Sequence, residues 1–104
     1  MQYQIVIVNL DPAVGSEVKK TRPCVIISPD EMNMFLNTIT IAPITSKFRK
    51  YPTRVKIEFH RDESWIVLDQ IRTIDKVRII KKVGVLQKAE IKLIKSIIKE
   101  TFVD

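Results

Sequence analysis

The sequence predicts a mainly β fold that ends in an α-helix. Several short runs are rich in β-branched residues and are followed by Pro, Asp, Gly or Ser, which favours strands joined by turns. The last segment changes to a helical period. With 104 residues, of which 45% are hydrophobic, the chain has the size of one domain with one core. We therefore expect a single domain over residues 1–104 and one functional site.

The first half of the chain contains three predicted strands. Residues 5–10 are apolar on both faces, as expected for a strand in a packed barrel or sandwich. Residues 13–22 are polar and form a predicted loop. Further strands are predicted over residues 23–28 and 38–44, with a turn of helix between them within residues 30–37.

The second half contains three more predicted strands and the helix. Apolar and charged side chains alternate over residues 54–59, the pattern of an antiparallel strand with one wet side. Strands are also predicted over residues 64–70 and, bent at Gly84, over residues 77–86. Residues 87–102 place isoleucines on one helical face and lysines on another, which predicts an amphipathic helix that packs on the sheet.

Composition limits the kinds of chemistry. The chain has one cysteine, Cys24, in an apolar run that predicts burial, and one histidine, His60, so a zinc site of the usual Cys/His type is excluded. We expect no metal and no cofactor. The chain has neither a signal-peptide pattern nor an apolar run long enough to span a membrane, so we expect a cytoplasmic protein. A net charge of +6 favours polyanionic partners.

Arg22 is the first candidate for chemistry. It lies in Thr21-Arg22-Pro23, where the polar loop enters an apolar strand and the proline fixes the backbone after the guanidinium. A planar guanidinium suits two oxygens of one phosphate and can stabilise charge that develops during cleavage. The alternative is a surface arginine paired with Glu17.

Thr45 and Ser46 end the third predicted strand. Their hydroxyls can donate to a phosphate oxygen, or they can cap the following turn. Residues 47–56 follow directly and contain five cations and two aromatic residues without an acid. Cations interleaved with aromatic rings are typical of binding to single-stranded nucleic acid, although a solvated hairpin loop has the same composition.

Asp69 and Gln70 follow the apolar run 65–68. The carboxylate can accept the proton of a 2′-hydroxyl and the amide can read a base edge, or Asp69 can instead form a structural ion pair with Arg72 or Arg22. The neighbours of His60 indicate a solvent-facing hairpin, so the histidine is not assigned to the site.

Five blocks resemble the motifs of the MazF/PemK (Kid) toxins. In chain order they are Asn9-Leu10-Asp11-Pro12, Gly15-Ser16-Glu17, Thr21-Arg22-Pro23, Ala42-Pro43-Ile44-Thr45-Ser46 and Asp69-Gln70-Ile71-Arg72-Thr73-Ile74-Asp75. No single block is diagnostic of the family. Five blocks in the family's order over nearly the whole chain, followed by a C-terminal helix, make the resemblance specific. The resemblance implies an SH3-like small barrel (CcdB/PemK-like) that forms a homodimer.

The resemblance also implies a toxin of a type II toxin–antitoxin system. Such toxins are sequence-specific, ribosome-independent endoribonucleases that cut single-stranded mRNA, inhibit translation and growth, and bind DNA through the antitoxin complex. The expected antitoxin has an acidic segment that covers the RNA groove. Cleavage by attack of the 2′-hydroxyl leaves a 2′,3′-cyclic phosphate and a 5′-hydroxyl and needs no metal.

The catalytic pair of the family carries over to Arg22 and Thr45. Because a guanidinium is a poor base, Arg22 is expected to stabilise charge or donate a proton, and the general base is not assigned. The residues predicted to line the groove or assist catalysis are Asp69, Gln70, Ser16 and Glu17. The predicted RNA-binding residues are Lys19, Lys20, Ser46, Lys47, Phe48, Arg49, Lys50, Tyr51 and Arg72.

Two departures from the family pattern stand out. The usual glycine and acidic residue before the first strand are missing at residues 2–4, and Val67 stands where some members carry an arginine. Val67 puts in doubt a mechanism that pairs an arginine at that place with Asp69.

Two rival functions remain open. One is a toxin of the same fold that poisons a protein, as the gyrase-directed CcdB proteins do; the presence of Arg22, Thr45 and the basic segment argues against it. The other is a non-catalytic RNA-binding module, for which loss of binding rather than cutting in Arg22→Ala would be the evidence.

Overall fold

A computed structural model describes residues 1–10, 21–47 and 51–103, and within these ranges the chain is mainly β with a C-terminal helix, as predicted. The strands are β1 (Gln4–Asn9), β2 (Thr21–Ile26), β3 (Thr38–Thr45), β4 (Arg54–Phe59), β5 (Asp62–Val67), β6 (Arg72–Asp75) and β7 (Ile79–Val85). The helices are α1 (Asp30–Phe35) and α2 (Lys88–Ile98), and α2 is followed by a π-helical turn over Lys99–Val103. Single-turn 3-10 helices span Leu68–Gln70 and Lys76–Arg78.

The strands form one curled antiparallel sheet in the order β4-β5-β3-β2-β1-β7. The long strand β3 is its centre. One edge of β3 pairs with β2, and the other edge is shared by β6, opposite Thr38–Ile41, and β5, opposite Ile44 and Thr45. Three strands therefore meet around the second half of β3, where Thr45 ends the strand.

Apolar side chains lie on both faces of the sheet. Strand alternation directs Val25 and Ala42 toward the face that carries α2, while Cys24 and Ile41 point to the opposite face. Each face has its own cluster of buried residues. This arrangement explains why the first strands are apolar without alternation, as a sheet covered on both faces requires.

Helix α2 closes the first cluster. Its Ile94 is fully buried, whereas Lys88, Lys92, Lys95 and Lys99 are exposed, in agreement with the predicted amphipathic pattern. The helix begins where the side chain of Glu90 accepts a hydrogen bond of 2.8 Å from the backbone N–H of Gln87. No helix in the described ranges is long and apolar enough to cross a membrane.

Several segments differ from the prediction. Strand β2 begins at Thr21, so Arg22 lies in the strand and not in the predicted loop, and Lys76–Arg78 form a 3-10 helix where a strand was predicted from residue 77. The predicted fifth strand ends at Val67 and continues as the 3-10 turn Leu68–Gln70, and β6 was not predicted at all. The turn buries Leu68 in the first cluster and leaves Asp69 and Gln70 exposed. Strand β6 then pairs with β3. This pairing makes the segment a strand, although its four residues show no strand pattern in the sequence.

The pairing of β7 with β1 has two irregularities, one of them beside Gly84, where the bend was predicted. The register shifts between Gly84 and Lys82, and again between Lys81 and Ile79. Such bulges bend a strand and increase its twist, so β7 can follow the curl of the sheet.

Helix α1 is tied to the sheet by a buried polar network. The Ser28 hydroxyl donates to Asn33 Oδ1 at 2.6 Å, and the Asn33 amide donates to the Ser28 carbonyl at 2.9 Å. The Ser28 hydroxyl also accepts from the Thr40 N–H at 3.0 Å. Because these buried polar groups are paired, the network fixes the turn between β2 and β3 and thus the register that positions Thr45.

Candidate active site

Strands β2 and β3 bring Arg22 and Thr45 to the same edge of the sheet. Their last paired residues are Cys24 and Pro43, and Arg22 and Thr45 each lie two residues beyond that pair. Side chains two residues apart on a strand share a face, so both point to the side that carries Cys24, opposite α2. Beyond the pair, β3 joins β5 at Ile44 and Thr45, so β2 and β3 part at the ends that carry Arg22 and Thr45. We call the surface between these two strand ends the groove.

A second arginine lies on this face. Arg72 of β6 pairs with Ile41 of β3, and the charges of Arg22 and Arg72 both lower the pKa of the Cys24 thiol. Burial of Cys24 has the larger effect and raises this pKa to about 12. Both arginines are exposed, so their positive charge on this face is available to a phosphate chain.

The raised pKa of Cys24 predicts a loss of stability in alkaline solution. Between the ordinary value of 9.0 and about 12, the unfolded chain has released the thiol proton while the folded chain keeps it. The free energy of unfolding should therefore fall as pH rises through this window, by up to about 1.4 kcal/mol per pH unit. Denaturant unfolding of the protein and of Cys24→Ala at several pH values checks this. An equal alkaline loss in both proteins would contradict the assignment to Cys24.

The hydroxyl of Thr45 is oriented by the turn that follows it. The backbone N–H of Lys47 donates to Thr45 Oγ1 at 3.1 Å, which is the capping role considered from the sequence. A hydroxyl that accepts this bond still has its own hydrogen to donate. Capping and phosphate binding are therefore compatible at Thr45.

Asp69 is held by residues of β4 and the turn before it. Thr53 Oγ1 donates to Asp69 Oδ1 at 2.8 Å, and Arg54 Nε lies 3.5 Å from the same oxygen. The ion pair of Asp69 is therefore formed with Arg54 and not with Arg72 or Arg22. Arg54 stands directly opposite Val67 in the β4–β5 register, so an arginine reaches Asp69 from the neighbouring strand.

A cleft of about 270 Å³ lies behind the strand ends. It is lined by Pro23, Ile44, Ser46, Phe59, His60, Asp62 and Ser64. His60 belongs to the two-residue turn between β4 and β5, in which His60 has a φ of 52° and Arg61 a φ of 68°. The predicted hairpin is confirmed, but only the fold shows that its histidine lies near Ser46.

The other predicted site residues divide into two groups. Gln70, Ser46, Lys47 and Tyr51 are exposed, and Ser46 and Lys47 directly follow Thr45. Ser16, Glu17, Lys19, Lys20, Phe48, Arg49 and Lys50 lie outside the described residues. In the parts of the chain that the structure describes, no three His, Cys, Asp or Glu residues are grouped so that they could hold a metal ion.

A comparison with known protein families finds a match over almost the whole chain. The profile of the family described as "PemK-like, MazF-like toxin of type II toxin-antitoxin system" matches residues 1–102. The chain belongs to this toxin family. The match covers every element of the PemK/MazF-like fold described above, so the resemblance found in the sequence blocks is confirmed.

A curated relative shares part of the chain. Endoribonuclease EndoA of Bacillus subtilis (strain 168) is 44% identical over 73 residues, which are 64% of this PemK/MazF-like chain. The match spans 62% of the length of that relative.

Solved structures confirm the PemK/MazF-like fold. The Mycobacterium tuberculosis toxin MazF-mt6 superposes with a TM-score of 0.81 at 24% identity over 96% of both chains. An endoribonuclease in complex with its cognate antitoxin from a mycobacterial species gives a TM-score of 0.83 at 17% identity, covering 99% of this chain and 94% of that one. A MazE-MazF crystal structure (Form-III) from Deinococcus radiodurans gives 0.80 at 20% identity, covering 95% and 92%.

Proposed function

We propose that this chain is an endoribonuclease that cuts single-stranded RNA at the groove between Arg22 and Thr45. The observation that carries the proposal is the β2–β3 register, which places a guanidinium and a hydroxyl on one face at the point where their strands part. Membership of the toxin family and the relative named as an endoribonuclease support it.

The chemistry that suits these residues is an internal transesterification. The 2′-oxygen attacks the adjacent phosphorus and the bond from phosphorus to the 5′-oxygen breaks, leaving a 2′,3′-cyclic phosphate. The 2′-hydroxyl loses its proton and the leaving 5′-oxygen gains one, so a 5′-hydroxyl is formed. Arg22 and the Thr45 hydroxyl would stabilise the negative charge that builds on the phosphate oxygens. This reaction requires no metal.

The surroundings of the pair suit an extended RNA strand. Arg72 and Lys47 are exposed near it, and cations placed along a groove bind the phosphate backbone and position it. Tyr51 offers an exposed ring on which a base can stack.

The proposal includes two protein partners. Some MazF-like neighbours were solved in complex with an antitoxin, so we expect an antitoxin whose acidic segment folds over the basic groove of this chain and competes with RNA. Exposed apolar side chains, including Val77 and Val85, are consistent with a homodimer.

The first experiment is cleavage of a long single-stranded RNA in EDTA. We expect discrete cuts with 5′-hydroxyl ends, and fewer cuts when an acidic antitoxin segment is added. Mapping the 5′ ends and testing their chemistry measures both the reaction and its recognition sequence. An RNA that stays intact, with or without Mg²⁺, would overturn the proposal and favour a toxin directed at a protein.

A further inference from the structure

Arg54 joins two exposed side chains that are distant in sequence. Its Nε lies 3.5 Å from Asp69 Oδ1, and its Cζ lies 5.4 Å from the centroid of the Tyr51 ring. Only 11% of the Arg54 side chain is exposed. Arg54 Nε is buried and forms no hydrogen bond in the described structure. The ion pair with Asp69 is therefore the contact that holds Nε.

Asp69 is fixed through one of its two oxygens. Oδ1 accepts the 2.8 Å hydrogen bond from Thr53 and also faces Arg54, while 39% of the side chain is exposed. The contacts described thus hold the carboxylate by Oδ1 and leave its other oxygen without a partner among the described residues. An ionised carboxylate can only accept hydrogen bonds, so a ligand at this oxygen must offer a donor.

Tyr51 offers a flat apolar surface beside this acceptor. Arg54 covers one face of the ring, and 57% of the residue remains exposed. A cation on one face of an aromatic ring and a base on the other is a favourable stack.

The register places this cluster next to the proposed cleavage site. Trp65 of β5 pairs with Thr45 on one side and with Lys56 on the other, and Val67, two residues further, pairs with Arg54. Two residues of a strand advance by about 7 Å, and β4 lies two strand spacings, about 10 Å, from β3, so Arg54 is on the order of 12 Å from Thr45. The cluster therefore lies within reach of a nucleotide that flanks the scissile phosphate.

We propose that Tyr51, Arg54 and Asp69 form a subsite for a nucleobase that bears an amino group, with Arg54 as the positioning residue. The inference rests on the proposed RNA cleavage and assigns part of its specificity. The base stacks on Tyr51 and its amino group donates to Asp69, a contact known for carboxylates and exocyclic amines. Uracil has no exocyclic amino group, and the one donor on its base edge, N3–H, lies between two carbonyl oxygens that the carboxylate repels, so uracil is disfavoured.

The test compares short single-stranded RNAs that differ by one base at each position around a mapped cut. We expect one position at which the unaltered protein cuts the uracil substrate about tenfold more slowly in kcat/KM, as loss of a base contact predicts. Asp69→Asn should remove or reverse this preference, because an amide can donate to a uracil carbonyl. Arg54→Gln should weaken it, and Arg54→Lys should restore part of it.

Lys81→Gln is the matched control. Lys81 is exposed on β7, at the opposite end of the strand order from β4, so its loss removes the same charge without touching the cluster. Its base preferences should be unchanged. If Asp69→Asn and Arg54→Gln also kept the preferences of the unaltered protein, the subsite would be refuted although RNA cleavage stood. If the unaltered protein cut no RNA, the proposed function would fail and the subsite with it.

Discussion

Replacing Arg22 with alanine should lower the rate of RNA cleavage by about 100- to 1,000-fold, the usual cost of removing one donor that stabilises a developing oxyanion. Arg22 is exposed, so the free energy of unfolding should change by no more than about 0.5 kcal/mol. Single-turnover cleavage of a fixed RNA measures the first quantity, and denaturant unfolding measures the second. The combination of a large loss of rate with intact stability is what the groove geometry predicts.

Two further variants separate chemistry from charge. Arg22→Lys keeps the charge but loses the planar fork, so it should recover only part of the rate. Lys81→Ala removes an exposed positive charge from β7, outside the proposed machinery, and should cleave normally. If Arg22→Ala lost RNA binding and cutting in the same proportion, Arg22 would be a binding residue only; if it cut normally, the assignment would be wrong.

The largest effect on stability is expected at Ile94. This side chain is fully buried where α2 packs on the sheet, so Ile94→Ala should reduce the free energy of unfolding by about 2–5 kcal/mol. Because α2 lies on the face opposite Arg22 and Thr45, the molecules that remain folded should cut RNA at the normal rate. Equilibrium denaturation followed by circular dichroism measures the loss.

The neighbouring residue provides the control. Leu93 is 47% exposed on the same helix, and Leu93→Ala should cost much less, since little buried area and no cavity are involved. Equal losses in the two variants would mean that α2 is not anchored through Ile94.

Elements with a clear period were predictable from the sequence, and others were not. Residues 54–59 and the helical face of α2 show their periods directly, and both are found where expected. Strand β6 has only four residues and three of them are exposed, so its sequence shows no alternating pattern. It is a strand because it pairs with the edge of β3 at Thr38–Ile41, and this tertiary pairing cannot be read from local sequence.

For the candidate site, the sequence proposes a set of residues but not their geometry. Arg22 and Thr45 were selected by residue chemistry and by resemblance, yet their common face follows from the Cys24–Pro43 pair, which periodicity does not reveal. The contact between Arg54 and Asp69 was missed because it joins residues of different strands. His60 could be placed in a hairpin, but only the packing of that hairpin brings it near Ser46.

The pairing of β1 with β7 has a consequence for how the protein is made. Strand β1 pairs with β7, which lies far along the chain. The long loop between these strands has to close before this edge of the sheet can form. Topologies dominated by such distant pairings fold slowly, on the order of milliseconds to seconds. During synthesis on the ribosome, β2 and β3 emerge early, whereas the completed sheet is available only after most of the chain has been translated.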